Sequence, residues 1–354
     1  MSVVGTRPQF VKEAALSPVL REHHREVLVN TGQHYDFELC GEQFDILEIP
    51  EPDYDLGVGS DSHARQTAAM MVGMEDVLLN ERPDLLLLYG DTNSTLAAAL
   101  AGAKLKIPMA HVEAGPRQHD MSVPEEINRI IVDRLAVLRF APTILSVENL
   151  ASEGMTDGVY LTGDVMYDIF LQAFERVDDE RMGSFGVRPG EYILMTLHRP
   201  HNSDFEEPLR EILEGVLSAG EKVIFPAHPR TVSNLERFNM SGWLESKPNI
   251  FIIKPVHYHD MILLMKNARV VVTDSGGVPK EAFFCGVPSI SVDFASGWPE
   301  LVEVGWCSVA GADSEKISRL LEGFRPDGPR PQIFGEGDAC EKIVDIISSW
   351  GSPD

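Results

Sequence analysis

The 354-residue sequence is short of positive charge, of cysteine and of long apolar runs. Lys and Arg number 30 against 55 Asp and Glu, a formal net charge of −25. A field of that sign repels nucleic acid and anionic membrane surfaces, so neither is expected as a partner. The plain reading is a solvated acidic surface. A site for a small anion stays open, because it needs only a few local cations. The four cysteines, Cys40, Cys285, Cys307 and Cys340, form no CxxC pair and no zinc-ligand spacing. They are expected as buried thiols of a reduced, cytoplasmic protein. No stretch approaches the ~18 consecutive apolar residues of a membrane-spanning helix. The opening residues show no basic region followed by a signal-peptide core. What remains is ordinary globular composition, 44% hydrophobic and 24% charged. At ~100–200 residues per domain the length predicts two domains, each able to bury a core without disulfides.

Short apolar runs alternate with longer amphipathic stretches, the grammar of strands and crossover helices in an α/β protein. Strands are predicted at residues 2–4, 26–30, 85–89, 109–112 and 159–162, with helices at 8–21, 95–104 and 125–139. The pattern restarts with strands at 192–197, 222–225, 250–253, 270–273 and 289–292, helices at 208–218 and 278–284, and a terminal helix at 341–350. The LLLLY run ending at Tyr89 has the continuous apolarity of a strand buried on both faces. The polar, glycine-containing stretch 177–191 reads as the linker. The expected division is 1–170, 171–335, and a helix in 336–354 that packs back on the first domain. Two open α/β domains in tandem imply a ligand cleft between them, facing the carboxyl ends of their strands.

Chemistry-bearing residues cluster at predicted strand ends. Gly5-Thr6-Arg7-Pro8 follows the first strand, which puts Arg7 at a helix start, an anion-facing position, with Lys12 five residues on. The alternative is a surface Arg and Lys. Gly90-Asp91-Thr92-Asn93-Ser94 follows the LLLLY strand. There Asp91 is either a carboxylate aimed at a ligand or a helix N-cap. His111-Val112-Glu113-Ala114-Gly115 repeats the arrangement, and Glu113 lacks an equally good capping role. Glu125 opens a helix, where the dipole favours acidic residues in any case. If Asp91, Glu113 and Glu125 converge, they form an acid–base set. A magnesium site is the competing reading of three carboxylates. In the second half, His198-Arg199 and His228-Pro229-Arg230 follow strands. Ser275-Gly276-Gly277 after the 270–273 strand lets backbone N–H groups approach a diphosphate, with Glu281 one turn on as a candidate ribose acceptor. Neither a Walker A nor a GxGxxG pattern is present.

With these residues in view, the sequence resembles the non-hydrolysing UDP-N-acetylglucosamine 2-epimerases. The resemblance is carried by GTRPQFVK (5–12), TGQHYD (31–36), PDYDL (52–56), GDTNSTLAAAL (90–100), HVEAG (111–115), PEEINR (124–129), FAPT (140–143), LHR (197–199) and TDSGG (273–277). It implies two Rossmann-like domains of the GT-B-like kind with a cleft between them, and a homodimer. It implies interconversion of UDP-N-acetylglucosamine and UDP-N-acetylmannosamine without metal or other cofactor, in service of cell-surface polysaccharide. The implied route removes the C2 proton, expels UDP to leave a 2-acetamidoglucal, and re-adds UDP with protonation on the other face. Asp91, Glu113, Glu125 and His198 then become catalytic candidates. Arg7, Lys12, Arg117, Ser275, Gly276, Gly277 and Glu281 become substrate-binding ones.

The sequence also departs from the pattern. His201 stands where the family has Glu after His-Arg, Pro279 replaces a Gln, and Pro116 replaces a Leu. Residues 293–297, Asp-Phe-Ala-Ser-Gly, replace Arg-Asp-x-Thr-Glu before Trp298. These changes put the sugar in question more than the reaction. Relatives sharing the Gly-Asp-Val-Met-x-Asp segment of 163–168 act on diacetamido-uronic acids, but the lost cations argue against a carboxylated sugar. A hydrolysing epimerase, a GT-B glycosyltransferase and a non-catalytic sugar-nucleotide binder are the remaining alternatives. Gln33, His34 and His228 lie where an allosteric substrate site would be sought.

Overall fold

The computed structural model describes residues 1–33 and 51–351. The chain forms two units, Met1–Leu171 with Gln332–Asp354, and Gln172–Pro331. Among the described residues the first unit holds a seven-stranded sheet in the order β3-β2-β1-β4-β5-β6-β7. Its strands are β1 (Ser2–Val4), β2 (Leu28–Asn30), β3 (Tyr54–Asp55), β4 (Leu86–Tyr89), β5 (Met109–Val112), β6 (Leu138–Ala141) and β7 (Val159–Leu161). All are paired in parallel. A parallel sheet has both faces covered by its crossover helices, so its strands are apolar throughout. Successive side chains point to opposite faces. Val4, Leu87 and Tyr89 accordingly join one buried cluster, and Val3, Leu86 and Leu88 the other.

The second unit repeats the logic with six parallel strands in the order β10-β9-β8-β11-β12-β13. They are β8 (Tyr192–Thr196), β9 (Lys222–Pro226), β10 (Ile250–Ile253), β11 (Val270–Thr273), β12 (Ser289–Ser291) and β13 (Cys307–Val309). Ile193, Met195 and Val272 enter one core, while Tyr192, Leu194 and Val271 enter the other. This 3-2-1-4-5-6 order is that of the dinucleotide-binding fold.

Two expectations are corrected. The helix expected over 125–139 ends as Pro124–Leu135, and Leu138–Ala141 is a strand. Ala136 turns extended, and the Arg139 guanidinium bonds the Asp133 and Asp157 carbonyls. A short apolar run buried on both faces carries no period that separates strand from helix. The 177–191 stretch is not the boundary. Val177, Met182, Phe185 and Val187 pack into the second unit's core, and the division falls between Leu171 and Gln172. The Gly163–Asp168 segment packs against the chain's terminal part. Asp164 caps Met166 N–H, and Asp168 accepts from Cys340 N–H at 2.7 Å. That bond holds helix Ala339–Ser349, whose Ala339, Cys340, Ile343 and Val344 complete the first unit's core.

Helix Arg7–His23 carries a buried acid. Glu13 is fully buried, with neither carboxyl oxygen in hydrogen-bond geometry with a described residue. Burial, and secondarily Glu26, push it up to about 8. The folded chain therefore keeps this proton where the unfolded chain has lost it. Stability should fall as pH rises from the ordinary carboxylate range through about 8. Glu13→Gln is expected to be more stable than the parent at pH 8, by about 2 kcal/mol, with the gap closing toward pH 5. Denaturant unfolding at both pH values measures this. A variant less stable than the parent at pH 8 would mean that Glu13 is ionised and partnered.

Candidate active site

In the first sheet β1 and β4 are neighbours whose crossovers leave in opposite directions. The turns after them therefore lie side by side at the switch point where open α/β sheets take ligands. Gln9 stitches these turns together. Its side-chain oxygen accepts from Gly5 and Thr6 N–H at 3.0 and 3.1 Å, and its amide donates to Tyr89 O at 2.8 Å and Thr95 Oγ1 at 2.9 Å. No side chain fits at residue 5, where a Cβ would lie 2.0 Å from Thr31 Oγ1. A hollow of about 240 Å³ among Leu20, His24, Glu26, Glu81 and Asp84 lies at the amino ends of the strands, away from these turns.

Two of the three expected carboxylates meet at this point. Lys12 Nζ is 2.7 Å from Glu113 Oε2, with both side chains largely buried. Burial alone would lower the Lys12 ammonium's pKa. Glu113, with Asp91 and Asp164 behind it, outweighs burial and raises it. Glu113 sits at φ +69°, a left-handed conformation that a non-glycine residue adopts at a cost of ~1–3 kcal/mol. Asp91 is not the helix cap. Thr92 caps helix Asn93–Leu105. The Asp91 carboxylate instead pairs with Arg129, whose other nitrogen reaches Glu126 at 2.9 Å. Asn128 holds the Asp91 carbonyl at 2.8 Å. Of the adjacent pair at the start of helix Pro124–Leu135, Glu126 is buried and accepts from Gln118 and His119 N–H, while Glu125 is exposed. Arg129 lies one helical turn from Glu125, on the same side of that helix. Arg7 is exposed at its own helix start.

Arg117 is not available to a substrate. Its side chain is 1% exposed, 2.6 Å from Glu153 and 2.8 Å from Asp133. It is a structural ion pair. The HVEAG run does not reveal this, because Glu153 lies 36 residues further on.

In the second unit the turns after β8 and β11 meet in the same way. Asp274 is fully buried and accepts from His198 N–H at 3.0 Å and Arg199 N–H at 2.9 Å. The TDSGG aspartate thus orders the LHR turn and leaves His198 half exposed, its Nδ1 3.3 Å from Asp274 Oδ1. Ser275 Oγ accepts from Gly277 N–H at 3.3 Å. Tyr258 Oη donates to Glu281 Oε1 at 3.2 Å. The departures cluster here. Asp293 bridges Arg199 Nη1 at 2.7 Å and His201 Nε2 at 3.0 Å, the latter a charge contact outside hydrogen-bond geometry. Phe294 stacks on His201 with ring centroids 4.7 Å apart. Lys280 lies 4.0 Å over the Trp298 ring. His201 and Asp293, expected as separate losses of Glu and Arg, meet in one contact, with the acidic and basic residue types exchanged relative to that pattern.

Sequence reasoning left out Arg129, Asn128, Asp133 and Asp274. The i, i+3 spacing of Glu126 and Arg129 was the available signal for Arg129. Of the expected regulatory positions, Gln33 accepts from Ser94 N–H and Oγ, and His228 caps helix Pro229–Arg237. His34 and Cys40 lie outside the described residues. Among the described residues no group of three or more His, Cys, Asp and Glu is arranged to hold a metal ion, and no helix is long and apolar enough to cross a membrane.

Two parallel α/β units with Rossmann-like sheets, each gathering polar turns at its switch point, are the architecture of the GT-B-like class. Within that class, the chain belongs to the UDP-N-acetylglucosamine 2-epimerase family, whose profile matches residues 19–348. It is 43% identical to a UDP-N-acetylglucosamine 2-epimerase homolog of Methanococcus maripaludis, over 98% of each chain. It is 37% identical to a UDP-2,3-diacetamido-2,3-dideoxy-D-glucuronate 2-epimerase of Pseudomonas aeruginosa, over 98% of this chain and 99% of that one. Its fold matches the crystal structure of Methanocaldococcus jannaschii UDP-GlcNAc 2-epimerase in complex with UDP-GlcNAc and UDP, with a TM-score of 0.82, 37% identity and 98% of each chain covered.

The reversed contact is testable by a double-mutant cycle. His201→Glu sets two carboxylates together, and Asp293→Arg sets an arginine beside Arg199 and His201. Each single change is expected to cost about 1 kcal/mol in denaturant unfolding, and His201→Glu/Asp293→Arg to recover most of the loss. Additive losses would show that the two positions are not coupled.

Proposed function

We propose that this chain is a UDP-N-acetylglucosamine 2-epimerase that interconverts UDP-N-acetylglucosamine and UDP-N-acetylmannosamine by elimination and re-addition. The observation that carries this reading is the gathering of Asp91 and Glu113 with Lys12 and Arg129 around Gly90, at the first sheet's switch point. The C2 proton of the sugar is a poor acid, so its removal needs a positioned base and a stabilised leaving group. A carboxylate accepts the C2 proton while the C1–O bond breaks. Its electron pair leaves with UDP, and a C1–C2 double bond remains. Return of UDP to C1 with protonation of C2 from the opposite face gives the epimer, and every atom is conserved. Two-faced protonation needs two acid–base groups. Asp91 and Glu113 are these candidates, with Glu125 on the face of its helix that carries Arg129. Lys12 and Arg129 orient the carboxylates by their ion pairs.

His198 and the Ser275-Gly276-Gly277 turn are assigned to the diphosphate, Arg7 to its first-unit side, and Glu281 to the ribose. The reading carries a cytoplasmic homodimer supplying amino sugar for cell-surface polysaccharide. The sugar is assigned as N-acetylglucosamine because the Arg199 guanidinium beside the glycine turn is already neutralised by Asp293, which leaves no added cation there for a sugar carboxylate.

Proton NMR of the protein with UDP-N-acetylglucosamine in D₂O should show UDP-N-acetylmannosamine with deuterium at C2. Free N-acetylmannosamine plus UDP would instead identify a hydrolysing enzyme. Turnover confined to the diacetamido-uronate would transfer the assignment to that sugar. Asp91→Asn, Glu113→Gln and Glu125→Gln are each expected to lose ~10²-fold or more in turnover. Near-parental turnover in all three would remove the acid–base assignment.

A further inference from the structure

Behind the candidate carboxylates lies a buried histidine whose hydrogen bonds specify its charge. His111, on β5, is fully buried, as is Asp133 of helix Pro124–Leu135. His111 Nδ1 is 2.7 Å from Asp133 Oδ1, and Nε2 is 2.7 Å from Gly90 O. A carbonyl oxygen has no proton to give, so Nε2 must donate. The other Asp133 oxygen faces two donors, Gly115 N–H and the Arg117 guanidinium, which mark the group as a carboxylate. Asp133 is therefore an acceptor too, and Nδ1 must donate. Both ring nitrogens carry protons.

Asp133 Oδ2 accepts Gly115 N–H at 3.1 Å and lies 2.8 Å from Arg117 Nη1, and Arg117 in turn pairs with Glu153 at 2.6 Å. Arg139, the register partner of His111 on β6, bonds the Asp133 carbonyl at 2.5 Å.

We propose that His111 is held as an imidazolium and acts as the positioning residue for the acid–base turn, fixing the Gly90 carbonyl and placing a buried positive charge behind Asp91 and Glu113. The groups facing its ring are Asp133 from the helix and the Gly90 carbonyl from the turn after β4, with Arg117 across Asp133 and Arg139 as its register partner on β6. On the other side of Gly90 stands the Lys12–Glu113 pair, 3.3 and 3.9 Å from where a side chain at residue 90 would begin. Gly90 itself is at φ +60°, so its carbonyl direction depends on what holds it. A fixed cation there favours the ionised carboxylates and opposes their protonation. The functional half of this proposal rests on the acid–base reading of Asp91 and Glu113, whereas the charge state of the ring does not.

The first test is ring ¹⁵N and ¹H NMR of the full-length protein, with the His111 signal assigned by its loss in His111→Gln. Two protonated ring nitrogens at neutral pH are expected. A ring with one proton at neutral pH overturns the proposal whatever the enzyme does. The second test is the pH profile of C2 deuterium incorporation. His111→Gln keeps a donor for Gly90 O and removes the charge, so the acid limb of kcat/KM should move up by about half a unit or more. A uniform fall in rate with an unmoved acid limb would assign His111 to packing alone and overturn the electrostatic role. If the variant fails to fold, the ring spectrum of the parent still decides the charge state. If the parent shows no C2 exchange with any UDP-sugar, the acid–base reading fails and the spectrum still reports on His111.

Discussion

The absent side chain of residue 90 is the constraint around which the first unit's site is built. A Cβ there would lie 3.3 Å from Lys12 Nζ, in the space that lets this ammonium reach Glu113. The same glycine adopts φ +60°, which turns its carbonyl toward His111 and starts the strand-to-helix turn that presents Asp91. Three consequences thus come from one missing side chain: an ion pair can form, a buried histidine is satisfied, and a carboxylate leaves the strand at the switch point. A left-handed turn at this place suits glycine far better than any other residue.

The polar groups around that glycine are buried, and burial makes their pairing obligatory. An unpaired charge in a dry interior is costly, so each one is matched. Lys12 meets Glu113, Arg129 meets both Asp91 and Glu126, and Arg117 meets both Asp133 and Glu153. The pairs differ in use. Arg117 and Asp133 are sealed and shape the scaffold, whereas Asp91 keeps about a quarter of its side chain exposed and so remains within reach of a ligand. Glu13 and Asp168 are answered differently, as buried carboxyls whose pKa is raised by burial. The second unit uses a simpler device, a single buried carboxylate, Asp274, that collects the backbone donors of the turn after the neighbouring strand.

Where the sequence departs from the family pattern, the structure shows reorganisation as well as loss. Asp293 lies between Arg199 and His201, and Phe294 stacks on the histidine. Read one residue at a time, these positions are a missing Glu and a missing Arg. In space they are two ends of one contact.

The sequence by itself determined the parallel α/β character and most strand positions, because a strand buried on both faces must be continuously apolar and the runs at 86–89, 192–196 and 270–273 are unmistakable. It also singled out the turns proposed to carry chemistry, since glycines and carboxylates directly after such runs have few other uses. Only the tertiary structure decided what each polar residue touches. Arg117 and Glu125 are both polar residues near a strand end or helix start, yet one is sealed between Asp133 and Glu153 and the other is open. The strand at Leu138–Ala141 was hidden for a related reason, because its apolar run continues the periodicity of the helix before it. Pairing across 36 residues, as for Arg117 and Glu153, or 76, as for His198 and Asp274, is set by how strands are ordered in the sheet. Local spacing carries no trace of that order.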